Sequence, residues 1–295
     1  MSKPKLTGMI IAWASELWIG PAIKQALKYC DEVFVCIEPH SEIMKKYEDS
    51  TLDIAKRYKD RIKFVKLKDK MVFSNHATAK ATILNTMMKS SKFFDNGNWY
   101  FILDVDEFYS EECMDIVRKI MSNKDLDIIN FESKYFFIDT KHYLIGEHMR
   151  VFKITDKEND HFIPTQNWSK RKVGFATIPL KIGMFHYGLM SNPWAKMDFW
   201  KSEYPNKMQS NKVKWIDKIY RNYDLRSKRY EEYWITKNEE LFGIRSPWFS
   251  SSFAPNKDGK LFTYDGKHPK FVEEAGLTKI KDFRKIYNFQ RSENE

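Results

Sequence analysis

The stretch Trp99-Tyr100-Phe101-Ile102-Leu103-Asp104-Val105-Asp106-Glu107-Phe108 holds most of the chemistry in this chain. Five apolar residues read as a buried strand, and it stops in three acids. Side chains two apart in extended backbone share a face, so Asp104 and Asp106 can address one hard cation just beyond a sheet edge. Oxygen ligands at that spacing suit Mg²⁺ or Mn²⁺. Such an ion can bridge the oxygens of a diphosphate and neutralise charge as the bond to it breaks. The competing use of these acids is to cap a helix starting near Ser110. A cap needs one carboxylate, however, and does not need a buried strand aiming two of them. Two other segments carry titratable groups beside apolar runs: Asn75-His76-Ala77-Thr78-Ala79-Lys80, and Met184-Phe185-His186-Tyr187-Gly188. Taken alone, Lys80 reads equally as a solvated helix lysine or a phosphate contact, Asn75 and His76 as a helix cap, and His186 as a core histidine.

Short β-branched runs alternating with longer amphipathic ones must position these groups. Strands are expected at Thr7–Ala14, Glu32–Glu38, Arg61–Leu67 and Trp99–Leu103, with helices near Pro21–Tyr29, Ser41–Lys59, Asn75–Ser90 and Glu111–Met121. That order implies right-handed crossovers and a mostly parallel α/β sheet covered on both faces, which binds ligands at the carboxyl ends of its strands. The aromatic runs Asp127–Ile138 and Tyr143–Ile154 predict longer, antiparallel strands. From Pro193 the pattern turns helical and charged, with segments near Ala195–Tyr204, Lys212–Tyr223 and Ser227–Leu241 and a looser Ser246–Gly266. This divides the chain into a unit at 1–190 and a basic helical extension at 191–295 packed on it.

Over roughly residues 5–190 the sequence resembles the GT-A fold, family 2-like glycosyltransferases that use nucleotide-diphosphate sugars. Asp104-Val105-Asp106-Glu107 stands where that family carries its Asp-x-Asp motif. The resemblance implies that Asp104 faces the ribose or the metal, and that Asp106 binds metal and diphosphate. It also implies a nucleotide contact at the end of the first strand, Ala12-Trp13-Ala14-Ser15-Glu16, which makes Ala12 and Glu16 binding candidates. Glu38 matches the acid near the base, although Glu38-Pro39-His40-Ser41 replaces the family's usual Asp-Gly-Ser-x-Asp-x-Thr. Lys80 falls where the family has a polar or basic residue near the nucleotide. His186, followed by Gly188 and the Pro193-x-x-Lys196 helix start, matches the histidine that completes the cation's coordination. The implied reaction is sugar transfer, from a UDP-sugar first of all, to a hydroxyl acceptor with Mn²⁺ or Mg²⁺ as cofactor. An inverting transferase needs a general base, and relatives often supply a carboxylate where this chain has Ile163-Pro164-Thr165-Gln166-Asn167-Trp168. Glu107, Glu132 and Asp139 remain as candidates, and a retaining mechanism, which needs none, stays open.

Composition narrows the classes further. Hydrophobic residues make 42% of the 295 and aromatics 16%, with only 11 Gly and 10 Pro, which excludes fibrous and wholly disordered chains. No apolar run reaches membrane-span length and no signal peptide is read, so a cytoplasmic protein is expected. Cys30, Cys36 and Cys113 show no paired or metal spacing and are expected to be reduced. The net charge of +10 lies wholly in residues 161–295, since residues 1–160 balance 25 Lys and Arg against 25 Asp and Glu. Such asymmetry reports an anionic partner or a solubilising surface. A basic amphipathic helix near Lys212–Tyr223 can pack on the core, lie on the inner face of a membrane beside a lipid-linked acceptor, or grip an anionic glycan or DNA. His268-Pro269 takes no role. With neither a Gly-x-Gly-x-x-Gly nor a P-loop motif, dinucleotide oxidoreductases and P-loop ATPases are disfavoured. A sugar-nucleotide nucleotidyltransferase would share the sheet and the metal, and a non-catalytic nucleic-acid or membrane-surface binder would explain the charge alone.

Overall fold

The computed structural model describes residues 3–39, 42–66, 76–136, 138–155, 174–203, 213, 217, 220–221, 253–254 and 262–288. Strands β1 (Leu6–Ala12), β2 (Glu32–Ile37) and β4 (Trp99–Asp104) are nearly continuous apolar runs, and all three are buried. That is the composition of strands covered on both faces. β1 pairs in parallel with β2 on one side and β4 on the other, and β2 pairs in parallel with the short β3 (Lys63–Phe64). Helix α1 (Glu16–Tyr29) connects β1 to β2, and α3 (His76–Ser90) lies between β3 and β4. Trp18, Ile19, Ala22 and Ile23 of α1 join one core layer. Ala81, Ile83, Leu84 and Met87 of α3 join a second, with Met9, Phe34 and Tyr100. The fold is therefore an α/β sheet with helices on both faces.

Beyond β4 the sheet turns mixed, as the aromatic runs predicted. β7 (His142–Lys153) lies antiparallel to β4 and to β6 (Ile128–Phe136). β6 in turn pairs in parallel with β8 (Phe175–Ile178) and β9 (Met184–His186). β5 (Glu107–Tyr109) leaves β4 through a turn at Val105-Asp106 and pairs antiparallel with β9. Two short strands, β10 (Phe253–Ala254) and β11 (Phe262–Thr263), add to β7. The sheet order is thus β3-β2-β1-β4-β7-β6-β9-β5. The chain steps outward from β1 to β2 and β3, then returns to the opposite side at β4, so the β1–β4 junction is the switch point where such sheets bind ligands.

Several elements depart from sequence expectation for local reasons. Helix α1 starts at Glu16, with Pro21 inside it rather than at its first turn. The proline costs one backbone bond, and burial of Trp18 and Ile19 outweighs it. The segment expected as one helix at 41–59 is a 3₁₀ turn (Glu42–Tyr47) followed by α2 (Thr51–Lys56), interrupted where the Asp49 carboxylate accepts from the backbone N–H groups of Glu16 and Thr51. The third strand is only two residues long and exposed. Helix α4 (Glu111–Ile120) is capped by Ser110, whose hydroxyl accepts from Cys113 N at 3.1 Å, so Asp104 and Asp106 are not its cap. Helix α5 (Pro193–Glu203) begins within two residues of the predicted start, and α6 (Lys270–Glu274) and α7 (Phe283–Ile286) follow. The segments at 163–168, 227–241 and most of 212–223 and 246–261, and Asn75, lie outside the described residues. All three cysteines are free, and among the described residues no helix is long and apolar enough to cross a membrane.

Candidate active site

A cavity of about 310 Å³ opens at the switch point, lined by the ends of β1 and β4, by His186 and Tyr135, and by the start of α5. The end of β1 turns sharply into α1. Ala14 there has a φ of 51°, in the left-handed region that a residue with a Cβ adopts at a cost, and Ser15 Oγ and N anchor the turn to Trp13 O and Thr51 Oγ1. Trp13 and Ala14 of this turn pack with Met44, and all three line the cavity.

Polar and charged side chains line the same cavity. Antiparallel pairing of β5 with β9 sets Glu107 directly across from His186, and Tyr187 N donates to Asp106 O at 2.7 Å. This pairing brings two sequence segments eighty residues apart to one place. Asp106 lies 3.6 Å from His186 Nε2 through Oδ1, while its Oδ2 accepts from Ser191 Oγ at 2.9 Å and stands 3.7 Å from Lys196 Nζ. Asp104 holds two cationic side chains: Lys80 Nζ at 2.7 Å on Oδ1 and an Arg150 guanidinium nitrogen at 3.1 Å on Oδ2. Burial alone would push the Asp104 carboxyl up, but Lys80 and Arg150 outweigh it and hold the group well below the usual carboxylate range. Burial lowers the Lys196 ammonium, with Asp106 and Asp104 opposing.

Arg150 sits where the β6–β7 register slips. Ile129 pairs with Val151 and Asn130 with Met149, so Arg150 is the extra residue of a β-bulge. Bulges re-aim side chains in this way. Its Nε donates to Glu107 Oε2 at 2.7 Å and its terminal nitrogen to Oε1, a two-point pairing. Glu107 is fully buried, and burial pushes its carboxyl up to about 7 against the pull of Arg150. His148, two residues before Arg150, places Nε2 at 3.3 Å from His186 Nδ1. Burial pushes His186 down to about 4 against Asp106, and burial with Arg150 holds His148 well below the ordinary imidazole value, so both rings are neutral ligand-competent bases near pH 7.

Glu107, His148 and His186 are a group whose ligand atoms lie within 4.8 Å of one another. Glu107 has both oxygens on Arg150, so a cation among these three would sit against a guanidinium. The other face of His186 fits better. A Cβ at Gly188 would fall 2.6 Å from His186 Nε2 and 2.7 Å from the Tyr135 hydroxyl, so a side chain at 188 would press on both. An imidazole nitrogen and a carboxylate oxygen 3.6 Å apart can share one ion at ordinary ligand distances of about 2.0–2.2 Å. Asp106 and His186 thus offer two donor atoms at a separation that one divalent cation can span.

The other sequence candidates fall as follows. Ala12, Lys80 and Asp104 line the cavity, whereas Glu16 and Glu38 do not. Glu16 lies at the start of α1, its carboxylate accepting from Ser50 Oγ at 2.5 Å, and Glu38 follows the end of β2. Glu132 accepts from Leu180 N at 2.6 Å, and Asp139 from the N–H groups of Lys141 and His142, which are loop-anchoring contacts. Neither lines the cavity, and among the described lining residues the carboxylates are Asp104 and Asp106. Sequence reading missed His148 and Arg150. The available signal was two basic side chains at i and i+2 on a predicted strand, whose place beside the acids is set by the pairing of β7 with β4. His268, left without a role, has its Nδ1 2.7 Å from the Tyr187 hydroxyl beneath the site.

No protein-family model matches the chain, and no curated protein matches it. Among solved structures, the chain shares 9% identity with a 4-diphosphocytidyl-2C-methyl-D-erythritol synthase, covering 60% of this chain and 90% of that one at a TM-score of 0.38. It shares 11% with a nucleotidyl transferase from Methanothermobacter thermautotroptrophicus, covering 60% and 87% at a TM-score of 0.34. Likeness at this level leaves the reading of the site to its own geometry.

Proposed function

We propose that this chain is a metal-dependent glycosyltransferase that moves a sugar from a nucleotide-diphosphate donor, UDP-sugars first among them, to a hydroxyl acceptor. The observation that carries the reading is a switch-point cavity whose lining combines the charged side chains of Asp104, Asp106, Lys80 and Lys196 and the imidazole of His186 with the apolar Trp13, Ala14 and Met44. A nucleoside diphosphate likewise combines an anionic part with a flat, less polar one. Asp106 and His186 would hold Mn²⁺ or Mg²⁺, which when bound supplies charge neutralisation to the departing diphosphate. Lys196, half-buried beside Asp106 at the start of α5, would place an ammonium group near phosphate oxygens bound there. Lys80 and Arg150 keep Asp104 ionised and oriented, so that it offers a fixed acceptor to a donor hydroxyl. Trp13 is itself fixed, its Nε1 donating to Met44 O at 2.6 Å, and presents a rigid apolar face to the base.

In this reading residues 1–190 form the catalytic unit, to which the start of α5 adds Ser191 and Lys196, and the rest of the basic segment 191–295 meets an anionic acceptor, whether a glycan, a lipid-linked sugar at the inner membrane face or DNA. β10 and β11 pair with β7, and the Tyr47 hydroxyl donates to Trp194 O of α5. The test is a thermal-shift screen with UDP, GDP, CDP, ADP and dTDP, with and without Mn²⁺, followed by product analysis. A ligand at about one hundred times its Kd adds about 2.7 kcal/mol of stability. Mn²⁺-dependent stabilisation by one diphosphate, with release of that diphosphate from its sugar conjugate, supports the reading. Pyrophosphate release from a nucleoside triphosphate and a sugar phosphate would replace it with nucleotidyl transfer, and stabilisation by DNA or anionic vesicles alone would replace it with a binding protein.

A further inference from the structure

We propose that the turn joining α2 to β3, together with that edge strand, is a contact surface for an anionic phospholipid bilayer. The proposal is independent of the reaction assigned to the cavity. Residues 52–66 hold six cations, Lys56, Arg57, Lys59, Arg61, Lys63 and Lys66, against Asp53 and Asp60. All eight side chains belong to exposed residues. Lys56 pairs with Asp53 at 3.0 Å and Lys63 with Glu32 at 2.5 Å. Among the described residues Arg57, Lys59, Arg61 and Lys66 pair with no acid, so their charge faces solvent uncompensated. This concentration lies in the part of the chain, residues 1–160, whose charges otherwise sum to zero.

The backbone fixes this surface. Ile62 and Val65 are buried in the two core layers. Arg61 N and Ile62 N both donate to Tyr58 O, and Val65 N donates to Val35 O at 2.9 Å. With Arg57–Ile62 folded in turns, chain connectivity keeps the four unpaired cations within about 25 Å of one another. β3 ends the sheet order, so no described strand covers its outer edge. Lysine on an edge strand commonly serves to block strand pairing, which accounts for Lys63 but not for the cations of the turn. Nor does it account for the apolar side chains. Leu52 and Phe64, at 37% and 36%, are two of the five large hydrophobic residues exposed among the described ones. Nucleic acid is held by phosphate contacts and base stacking, to which an exposed leucine adds nothing. An anionic membrane surface takes both kinds of group, cations at the phosphate level and apolar side chains at the acyl boundary.

The test is sedimentation of the full chain with vesicles of phosphatidylcholine alone, and with about one-third phosphatidylserine, near physiological ionic strength. We expect the chain to sediment with the second kind and not with the first. Each cation near an anionic surface is worth about fivefold in affinity, so the triple variant Arg57→Gln, Lys59→Gln, Arg61→Gln should bind the anionic vesicles roughly a hundredfold more weakly. Phe64→Ser removes no charge. It should weaken vesicle binding about two- to fivefold, in proportion to the exposed third of the ring, and leave binding to duplex DNA unchanged. Circular dichroism and melting establish that each variant is folded; where either is not, Arg57→Gln and Lys66→Gln, made singly, decide. Equal binding by the parent and the triple variant puts any membrane contact elsewhere and overturns the proposal. Vesicle binding unchanged in Phe64→Ser overturns it too, as does failure of the parent to bind anionic vesicles. Duplex DNA bound more tightly than those vesicles, and lost in the triple variant, would make the turn a nucleic-acid contact instead.

Discussion

Replacing Gly188 by alanine adds one methyl group to the site and tests whether the space before His186 is the ligand position. The new Cβ would lie 2.6 Å from His186 Nε2, 2.7 Å from the Tyr135 hydroxyl and 2.9 Å from Tyr135 Cε2. Relaxed contacts to carbon begin near 3.5 Å, so these three atoms must yield by about 0.6–0.9 Å. Neither ring can withdraw cheaply, because they pack edge to face and Tyr135 is only 5% exposed. Overpacking of this kind costs about 1–3 kcal/mol. Gly188 has no left-handed backbone to strain, so the reduced freedom of the unfolded chain returns about 0.4–1 kcal/mol. The net loss of roughly 1–2 kcal/mol lowers Tm by several degrees, at about 2–4 °C per kcal/mol for a chain of this size. The methyl group also occupies or displaces the coordination space, and we expect Mn²⁺ affinity to fall at least tenfold, about 1.4 kcal/mol. Differential scanning calorimetry in EDTA reads the first effect and Mn²⁺ titration the second. A Gly188→Ala protein that melts slightly lower but binds Mn²⁺ as the parent does would show that the ion, if bound, sits elsewhere.

Three other outcomes are expected. Asp106→Asn should abolish Mn²⁺-dependent stabilisation by a nucleoside diphosphate while leaving far-UV circular dichroism unchanged; retained stabilisation would remove Asp106 from the metal. Arg150→Met leaves Glu107 buried without its guanidinium and should destabilise by about 3–5 kcal/mol, and adding Glu107→Gln should recover a large part of it, so additive losses in a denaturant double-mutant cycle would refute the pairing as the cause. Burial pushes His268 down to about 4, so the folded state resists its protonation; its contribution is present above pH 6.5 and is lost as pH falls toward 4. Tm should therefore decline over that window, and His268→Asn, which keeps a partner for Tyr187, should flatten the decline.

The strand pattern of the first hundred residues was enough to read a parallel α/β sheet and to expect two acids at the end of its fourth strand, because strands buried on both faces are written as unbroken apolar runs. Asp104 and Asp106 were legible for that reason, whereas the short strand Met184–His186 was not, and His186 stood out only as a histidine beside an apolar run. Element ends were less legible. Pro21 reads as a helix start by local rule, yet α1 begins at Glu16 because burial of Trp18 and Ile19 outweighs one missing backbone bond.

What only the tertiary structure decided is who stands behind the acids. Strand pairing sets Glu107 opposite His186 and the β6–β7 bulge aims Arg150 at Glu107 and Asp104, and neither register nor bulge is encoded in the periodicity of any one segment. His148 and Arg150 look in sequence like ordinary polar positions on a half-exposed strand. They acquire their roles because β7 runs beside β4 and carries its side chains to an edge that β4 has filled with negative charge, and that juxtaposition is a property of the sheet as a whole.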